Sequence, residues 1–290
     1  MTSNTFSFQR GSFQFTTIVD GVSKRDFQSV ADLFPDAPRP SFLKALKEEY
    51  ANQQPLDWSM NCLFVQTRDH NILVDTGIGP REDGKSGQLM RRLKGILEPS
   101  AVDTVIITHC HGDHIGGLVN AEGDLTFPNA DYLMQDSEWE YWMGEGGVVE
   151  KANQEYAQTL RSKLHPIQER TDFFNGKKEL LPGIWSVPAP GHTPGHIGLL
   201  FESEGQTLLD LSDTLHTRVQ FPLPDWSPRF DTDGKKAAQT RREMLTFAAE
   251  EHHLTLFYHL AHPGLGTIQQ KGEGFIWQPR EGEDKTGHGS

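Results

Sequence analysis

The chain is poor in cysteine and has no long apolar run. Its 290 residues include only two cysteines, Cys62 and Cys110, which are too few for a disulfide framework. No stretch approaches the roughly 18 successive apolar residues of a membrane-spanning helix, and residues 1–15 contain no uninterrupted apolar segment typical of a secretory signal. We therefore expect a cytoplasmic protein that has no membrane partner.

Clustered positive charge is also missing. The formal net charge is −13, and neighbouring lysines and arginines form no run longer than a pair. Because nucleic-acid affinity comes largely from clustered Lys and Arg, this composition argues against a nucleic-acid partner. The Gly-x-Ser-x-Gly motif that presents a serine nucleophile is absent as well, so we expect a reaction that needs no side-chain nucleophile.

Residues 108–114, Thr-His-Cys-His-Gly-Asp-His, are the most informative segment. They place four side chains able to bind a metal directly after the apolar run 102–107: His109, His111, Asp113 and His114. Such groups at the end of a buried strand are costly to desolvate unless a cation neutralises them. In extended backbone Cys110 points away from its neighbours, so we interpret it as a small buried side chain and not as a ligand. The segment predicts a metal site in a loop supported by a strand.

Three further residues of ligand type lie at the ends of later apolar segments: His196, Asp213 and His259. Five histidines and two carboxylates are the right number for two metal ions that share one bridging carboxylate. The loop 189–196 holds a second histidine, His192. We interpret His192 as a hydrogen-bond donor to the site or a plain loop residue, and not as a ligand.

Apolar periodicity predicts strands and helices that alternate in both halves of the chain. The predicted strands cover 6–20 (an opening pair), 61–67, 70–75, 102–108, 130–134, 184–188, 197–201, 207–211 and 255–258. The predicted helices cover 41–52, 88–97, a segment with Trp139 and Trp142, 148–164 and 233–251. Two sheets covered by helices on their outer faces fit this order better than one open sheet. Residues 280–290 are charged and rich in glycine, so we expect a disordered tail.

The combined pattern resembles the metallo-β-lactamase superfamily. The pattern is His-x-His-x-Asp-His, then Gly-His-Thr-Pro-Gly-His, then Asp-Thr after a strand and a histidine at a strand end, and it extends from 75–77 to His259. The segments 221–233 and 259–266 look most like the branch with methyl parathion hydrolase and several quorum-quenching lactonases. The resemblance implies an α/β fold, an αββα four-layer sandwich of two mixed sheets with helices outside. By this resemblance, residues 1–279 would form a single domain, with 21–57 as an N-terminal insertion.

The resemblance also implies the ligand set. Carried onto matching positions, it assigns His109, His111 and His196 to the first metal ion, Asp113, His114 and His259 to the second, and Asp213 as the bridge. Two departures from the family pattern are Ser212, where glycine is common, and His262, where the branch often has an aromatic residue. The two ions are expected to be zinc, with manganese, iron and cobalt as alternatives, since histidine and carboxylate suit all four.

The expected chemistry follows from charge. Two neighbouring divalent cations lower the pKa of a shared water towards about 7, and the resulting hydroxide attacks an ester or lactone carbonyl. Asp113 is expected to orient the nucleophile or carry a proton to the leaving group. His216 is expected to contact the substrate oxygen, as a tyrosine does in related lactonases, and Phe221 and Trp226 to line an apolar pocket. Asp75 is expected to hold 108–114 through hydrogen bonds.

The sequence therefore predicts a dinuclear metal hydrolase, monomeric or homodimeric, for a small apolar ester or lactone of the acyl-homoserine-lactone kind. Aryl esters and organophosphate triesters are the nearest alternative. Thioester hydrolysis of the glyoxalase II type shares the ligand set, but the chain has no obvious basic cluster for the glutathione carboxylates. Persulfide dioxygenation at a single iron and nucleic-acid processing rank lower. A true β-lactamase is disfavoured because those enzymes use Cys or Ser where Asp213 stands.

Overall fold

The computed structural model describes residues 4–51, 53–81, 84–144 and 154–280. The strands of these residues form two seven-stranded sheets, and in each sheet the strands lie side by side in sequence order. Each sheet combines antiparallel with parallel pairs. Both sheets are therefore mixed, as the resemblance implied.

The first sheet is built by the N-terminal half. Its strands, in spatial order, are β1 (Thr5–Arg10), β2 (Phe13–Arg25), β3 (Leu56–Gln66), β4 (Asn71–Val74), β5 (Thr104–Ile107), β6 (Asp131–Gln135) and β7 (Thr171–Phe174). Strands β1 to β4 are antiparallel, whereas β4 to β7 are parallel. Because β4 and β5 are parallel neighbours, the residues that follow them lie at the same edge of the sheet.

The second sheet is built by the C-terminal half. Its strands are β8 (Glu179–Leu181), β9 (Ile184–Pro188), β10 (Ile197–Ser203), β11 (Gln206–Asp210), β12 (Leu254–Leu256), β13 (Leu265–Lys271) and β14 (Gly274–Pro279). Neighbours are antiparallel except β11 and β12, which are parallel. The chain segments that leave β11 and β12 therefore start at a common edge.

The described residues form seven α-helices. They are α1 (Phe27–Ala31), α2 (Arg39–Glu49), α3 (Leu89–Leu93), α4 (Gly112–Ile115), α5 (Asp136–Met143), α6 (Gln154–Leu164) and α7 (Gly234–Glu250). Buried side chains of α3, α5 and α6 pack in one core with the first sheet, and those of α7 pack with the second sheet. The Asp233 carboxylate caps α7 by accepting a hydrogen bond from the Lys236 backbone N–H.

A further core lies between the sheets. Apolar side chains of β1 to β5 meet those of β9 to β12 there, and Phe15 contacts Phe201 edge to face at 5.3 Å between ring centres. The layers are helix, sheet, sheet and helix. This arrangement confirms the predicted αββα sandwich and leaves the strand ends of both sheets at one edge of the sandwich.

The structure corrects several predicted boundaries. Residues 21–25 continue β2, α1 follows them, and α2 begins at Arg39 and ends at Glu49 instead of spanning 41–52. Strands β7, β8, β13 and β14 were not predicted from the sequence. The first residues of the predicted helix 148–164 and the tail 281–290 lie outside the described residues. Along the described ranges, no helix is both long and apolar enough to cross a membrane.

Candidate metal centre

The histidine-rich loop 108–114 is anchored by the residue that ends the neighbouring strand. Asp75, which follows β4, accepts hydrogen bonds from the backbone N–H of Thr108 at 2.9 Å and from its hydroxyl at 2.7 Å. Its Oδ2 also accepts a bond from Nδ1 of His114 at 2.7 Å. The parallel pairing of β4 with β5 places these residues side by side. The predicted role of Asp75 in holding the loop is confirmed by these contacts.

Side chains able to bind metal come together in three overlapping groups at this edge. In each group, one ligand atom from every residue lies within 4.8 Å of the others. The first group is His109, His111, His192 and Asp213, the second is Asp113, His114 and His259, and the third is Asp213, His216 and His259. The groups join loops from both sheets.

Asp213 lies at the centre of these groups. Its Oδ2 is 3.2 Å from Nε2 of His259 and 3.3 Å from Nε2 of His192. Its Oδ1 is 3.4 Å from Nε2 of His114. The carboxylate thus lies within 3.4 Å of histidines from both the first and the second group, which is the position a bridging ligand needs.

The residues present fit divalent metal ions. Nε2 of His114 and Oδ1 of Asp213 are buried and have no hydrogen-bond partner. Burial lowers the pKa of His109 and of His111 well below the usual value, so both rings are neutral imidazoles. Neutral imidazole is the form that binds a metal, and Nε2 of His109 lies only 3.1 Å from Nδ1 of His111. Cations held by these side chains would satisfy the buried atoms of His114 and Asp213 that protein groups leave unpaired.

The three groups of metal-binding side chains include His192 and not His196. Nε2 of His192 lies 2.9 Å from Nδ1 of His111. His196 instead uses its Nδ1 to donate a hydrogen bond to the carbonyl of Ala189 at 2.9 Å, and it belongs to none of the three groups. The turn that aims His192 inward needs glycine at 191, where φ is +130° and a Cβ would lie 2.2 Å from the backbone nitrogen of Ala237. The expected ligand position of His196 is therefore taken by His192 in this geometry.

Two buried acidic residues that support the site were missed by the sequence reasoning. Asp231 accepts a hydrogen bond from Nδ1 of His192 at 2.7 Å. Glu138, on α5, is fully buried and accepts four hydrogen bonds, from the Cys110 N–H, the Trp142 indole, the Thr193 hydroxyl and the Gly195 N–H. Burial raises the pKa of Glu138, and these four donors oppose the shift. The only sequence signal was that both residues are acidic and lie near apolar segments.

A cavity of about 290 Å³ opens directly onto the metal-binding side chains. Its apolar and aromatic walls are Trp58, Tyr156 and Phe230. The predicted lining by Phe221 and Trp226 is corrected. Phe221 is fully buried and stacks on Trp277 at 5.1 Å, while Trp226 packs on Phe42 at 5.4 Å, so both aromatic rings belong to the core.

Asp113 and His216, the predicted catalytic residues, both line this cavity. Oδ2 of Asp113 lies 3.5 Å from Nε2 of His259, and its side chain keeps 28% of its surface exposed. Nε2 of His216 lies 3.2 Å from Oδ2 of Asp213, and its ring stacks on His259 at 5.1 Å. Burial lowers the pKa of His216 to about 4 against the opposing pull of Asp213, so this ring is neutral. His262 contacts Asn61 at 3.3 Å and stands outside the three groups.

Comparison with curated proteins finds relatives that are lactonases. The N-acyl homoserine lactonase of Bacillus cereus is 25% identical over 219 residues, which cover 68% of this chain and 80% of that protein. An N-acyl homoserine lactonase of a Bacillus species is 28% identical over 188 residues, covering 57% of this chain and 68% of that protein.

Solved structures with the same architecture include two hydrolases. AidC, a dizinc quorum-quenching lactonase in complex with a product N-hexnoyl-L-homoserine, has a TM-score of 0.89 at 27% identity and covers 97% of this chain and 99% of its own. The hydrolase AbOPH of the beta lactamase superfamily has a TM-score of 0.89 at 26% identity, with coverage of 98% and 100%. Residues 57–251 match the family model for the metallo-beta-lactamase superfamily. On that match, and on the two sheets and the histidine-rich edge described above, the chain belongs to the metallo-β-lactamase superfamily.

Proposed function

We propose that this protein is a dinuclear metal hydrolase that opens a small lactone of the N-acyl homoserine type. The observation that carries the proposal is the position of Asp213, whose carboxylate lies within 3.4 Å of histidines from both proposed ligand sets, His192 of one and His114 and His259 of the other. A single carboxylate between two sets of ligands is the arrangement that two adjacent cations require. The named activities of the relatives, all on homoserine lactones, agree with it.

The proposed ligand set differs from the sequence expectation at one position. We assign His109, His111 and His192 to the first metal ion, Asp113, His114 and His259 to the second, and Asp213 to both. His192 replaces His196 because its Nε2 faces His111 and Asp213, whereas His196 belongs to none of the three groups of metal-binding side chains. Zinc is the metal we propose first, because it accepts this mixture of imidazole and carboxylate and because AidC is a dizinc enzyme.

The ions, when bound, would supply an activated water near neutral pH and polarise the carbonyl oxygen of the ester. The protein's own residues place the substrate and handle the proton. Asp113 is a ligand whose carboxylate remains partly exposed at the cavity, so it can take a proton and return it to the leaving alcohol. The neutral imidazole of His216 lies on the cavity wall and is placed to donate a hydrogen bond to the substrate oxygen.

The cavity also agrees with a small ester. Its volume of about 290 Å³ accepts a lactone ring, and Trp58 and Phe230 supply apolar contact. The same aromatic walls favour a second candidate, the hydrolysis of aryl esters and aryl phosphotriesters, since a planar leaving group would pack on them. Both reactions use the same side chains, so only the choice of substrate separates the candidates.

The test is a substrate screen with metal analysis on one protein batch. We expect N-hexanoyl homoserine lactone to be hydrolysed with a higher kcat/KM than 4-nitrophenyl acetate, a dialkyl aryl phosphate or a glutathione thioester. Metal content should be close to two ions per chain. If the phosphate or the thioester were hydrolysed with the highest kcat/KM, the proposed substrate class would be wrong. A metal content of one iron per chain would contradict the dinuclear site.

Metal dependence is tested by chelation and by His111→Ala. Removal of the metal, verified by elemental analysis, should abolish turnover, and zinc or manganese should restore it. His111→Ala should lower kcat/KM by more than about 100-fold. The loss of a residue that only hydrogen-bonds to a metal ligand already lowers metal affinity or activity by about 10- to 100-fold. His70→Ala, which changes a partly exposed histidine paired with Asp103, is the matched control. Full activity in verified metal-free protein would overturn the proposal.

A further inference from the structure

A larger cavity with a positively charged wall adjoins the metal centre. This vestibule has a volume of about 700 Å³ and shares Arg25, Trp58, Asp113, Tyr156 and His259 with the smaller cavity. The described residues of its wall include four cations: Lys24, Arg25, Arg81 and Lys85. The one carboxylate among the described lining residues is Asp113, which we assign to a metal ion. In a chain of net charge −13, a lining with four cationic side chains is a specific feature of the vestibule.

Arg25 is the cation that reaches furthest towards the metal centre. It is the last residue of β2, and its guanidinium carbon lies 5.1 Å from the centre of the Trp58 ring. That ring lies 5.5 Å from the ring of His259 and 6.0 Å from that of His216. A substrate that follows the face of Trp58 can therefore contact the metal-binding side chains at one end and Arg25 at the other.

The guanidinium of Arg25 lacks a compensating charge. Nε of Arg25 is buried and has no hydrogen-bond partner, and no ion pair joins Arg25 to any carboxylate of the described residues. The neighbouring Lys24, in contrast, is paired with Asp57. Burial lowers the pKa of Arg25, and no opposite charge offsets that shift. A half-buried cation without an ion-pair partner is free to bind a ligand that brings a negative charge into the vestibule.

We infer that Arg25 anchors a subsite for a carboxylate, carried by the acyl chain of the ester whose carbonyl is hydrolysed at the metal centre. This inference rests on the proposed hydrolase function and narrows its substrate class to esters and lactones with an anionic chain end. The planar fork of a guanidinium donates two parallel hydrogen bonds to the oxygens of a carboxylate, an arrangement that a neutral carbonyl cannot match. Trp58 supplies the apolar surface along which the methylenes of the chain lie.

The test uses matched substrates that differ only at the chain end. N-hexanoyl homoserine lactone is compared with its N-adipoyl counterpart, which replaces the terminal methyl by a carboxylate. We expect the kcat/KM of the wild-type protein to be about 10- to 100-fold higher for the adipoyl compound than for the hexanoyl compound. This is the factor that one charge-assisted hydrogen bond contributes. The succinyl and glutaryl compounds give the chain length at which the preference is largest. Equal kcat/KM for the neutral and anionic members of every pair would overturn the inference.

Variants of Arg25 decide whether this residue causes the preference. In Arg25→Met the ratio of the two kcat/KM values should fall towards one, mainly through a higher KM for the adipoyl compound, with unchanged metal content. Arg25→Lys should keep part of the preference, because it retains the charge but not the fork. Arg68→Met removes an exposed arginine in the turn between β3 and β4, outside both cavities, and is the matched control. An Arg25→Met protein that keeps the full wild-type ratio would contradict the inference.

A binding experiment separates this inference from the proposed function. Calorimetry with the metal-loaded protein compares adipic acid monoamide with hexanamide, neither of which carries an ester. We expect tighter binding of the monoamide by the wild type and loss of that difference in Arg25→Lys or Arg25→Met. If no ester or lactone is hydrolysed but this difference is present, the proposed function fails and the subsite stands. If esters are hydrolysed and the difference is absent, only the subsite fails.

Discussion

Asp231 fixes the orientation of His192 through a hydrogen bond of 2.7 Å from Nδ1 of the ring. The bond leaves Nε2 facing His111 and Asp213. Burial alone would raise the pKa of Asp231, but the bond from His192 and the charge of Arg241 hold it below the usual value. Arg241 is also fully buried, and its Nε donates to the carbonyl of Thr214 at 2.7 Å. Buried Arg241 therefore supports the centre at two points, through Asp231, which orients His192, and through Thr214, which follows Asp213.

The first prediction concerns Asp231→Asn. The asparagine has one acceptor oxygen where the carboxylate has two, and it carries no charge to oppose Arg241. We expect the affinity for the ion near His192 to fall by about 10- to 100-fold, the usual effect of losing such a partner of a ligand histidine. Competition with a chelator measures the affinity. Asp225→Asn, which removes an exposed partner of Arg242, is the control, and unchanged affinity in Asp231→Asn would contradict the role of Asp231.

The second prediction separates the two histidines of the loop. His192→Ala should lose one metal ion and most of the activity. His196→Ala should keep both ions, but the free energy of unfolding should fall by about 1–3 kcal/mol, since the buried Ala189 carbonyl loses its partner. Elemental analysis and urea unfolding measure these effects. A His196→Ala protein that loses a metal ion while His192→Ala retains both would restore the ligand set expected from the sequence.

Those parts of the site that depend on residues close together in the chain could be predicted from the sequence. The ligand-type residues of 108–114 follow an apolar run that could only be a buried strand. Asp213 and His259 likewise follow apolar runs, although β12 ends at Leu256, three residues before His259. Neighbouring parallel strands end at one edge of each sheet, but the meeting of the two edges in one centre was expected only from the resemblance to the metallo-β-lactamase superfamily.

The parts that could not be predicted depend on contacts between distant segments. His192 and His196 both follow a glycine, and only the turn at Gly191 against Ala237 and the contact with Asp231 distinguish them. Phe221 looked like a pocket residue because its partners in the core, Phe257 and Trp277, are far away in sequence. Strands β7 and β8 were missed because they have only four and three residues, too few for an alternating pattern to stand out.

The third prediction concerns Glu138, which joins the loop 108–114 to the loop of His192. Its Oε1 accepts from the Cys110 N–H at 2.8 Å, and its Oε2 accepts from the Thr193 hydroxyl at 2.6 Å. Glu138→Gln replaces one of these oxygens by an NH₂ group, which cannot accept a hydrogen bond. We expect a loss of about 1.5–3 kcal/mol in the free energy of unfolding and weaker metal binding. Urea unfolding and chelator competition provide the measurements.

The control for Glu138 lies on the same helix. Glu140 is exposed, so Glu140→Gln should leave both the free energy of unfolding and the metal affinity within error of the wild type. If Glu138→Gln matched Glu140→Gln in both measurements, the four hydrogen bonds would not be what holds the two loops together.

The fourth prediction is a pH dependence of stability caused by Asp210. Burial raises the pKa of this carboxyl to about 7, although the Ser212 N–H donates to its Oδ1 at 3.0 Å. An acid whose pKa is raised on folding contributes stability at low pH that is lost as the pH rises through the folded value. Asp210→Asn keeps an acceptor for Ser212 but does not ionise. The advantage of the variant over the wild type should therefore grow from about pH 5 to about pH 7, by on the order of 1–3 kcal/mol, and stay constant above that pH.

Urea unfolding of the metal-free proteins at several pH values tests this difference. Asp225→Asn is again the comparison, because the hydrogen bond from Arg242 lowers the pKa of Asp225. A lowered pKa contributes stability that is lost only as the pH falls through the acidic range, so the Asp225→Asn difference should stay constant over the same interval. If the Asp210→Asn difference were equally flat, the buried carboxyl of Asp210 would be excluded as the cause. Over this pH range the variant and the wild type differ only in the titration of that carboxyl.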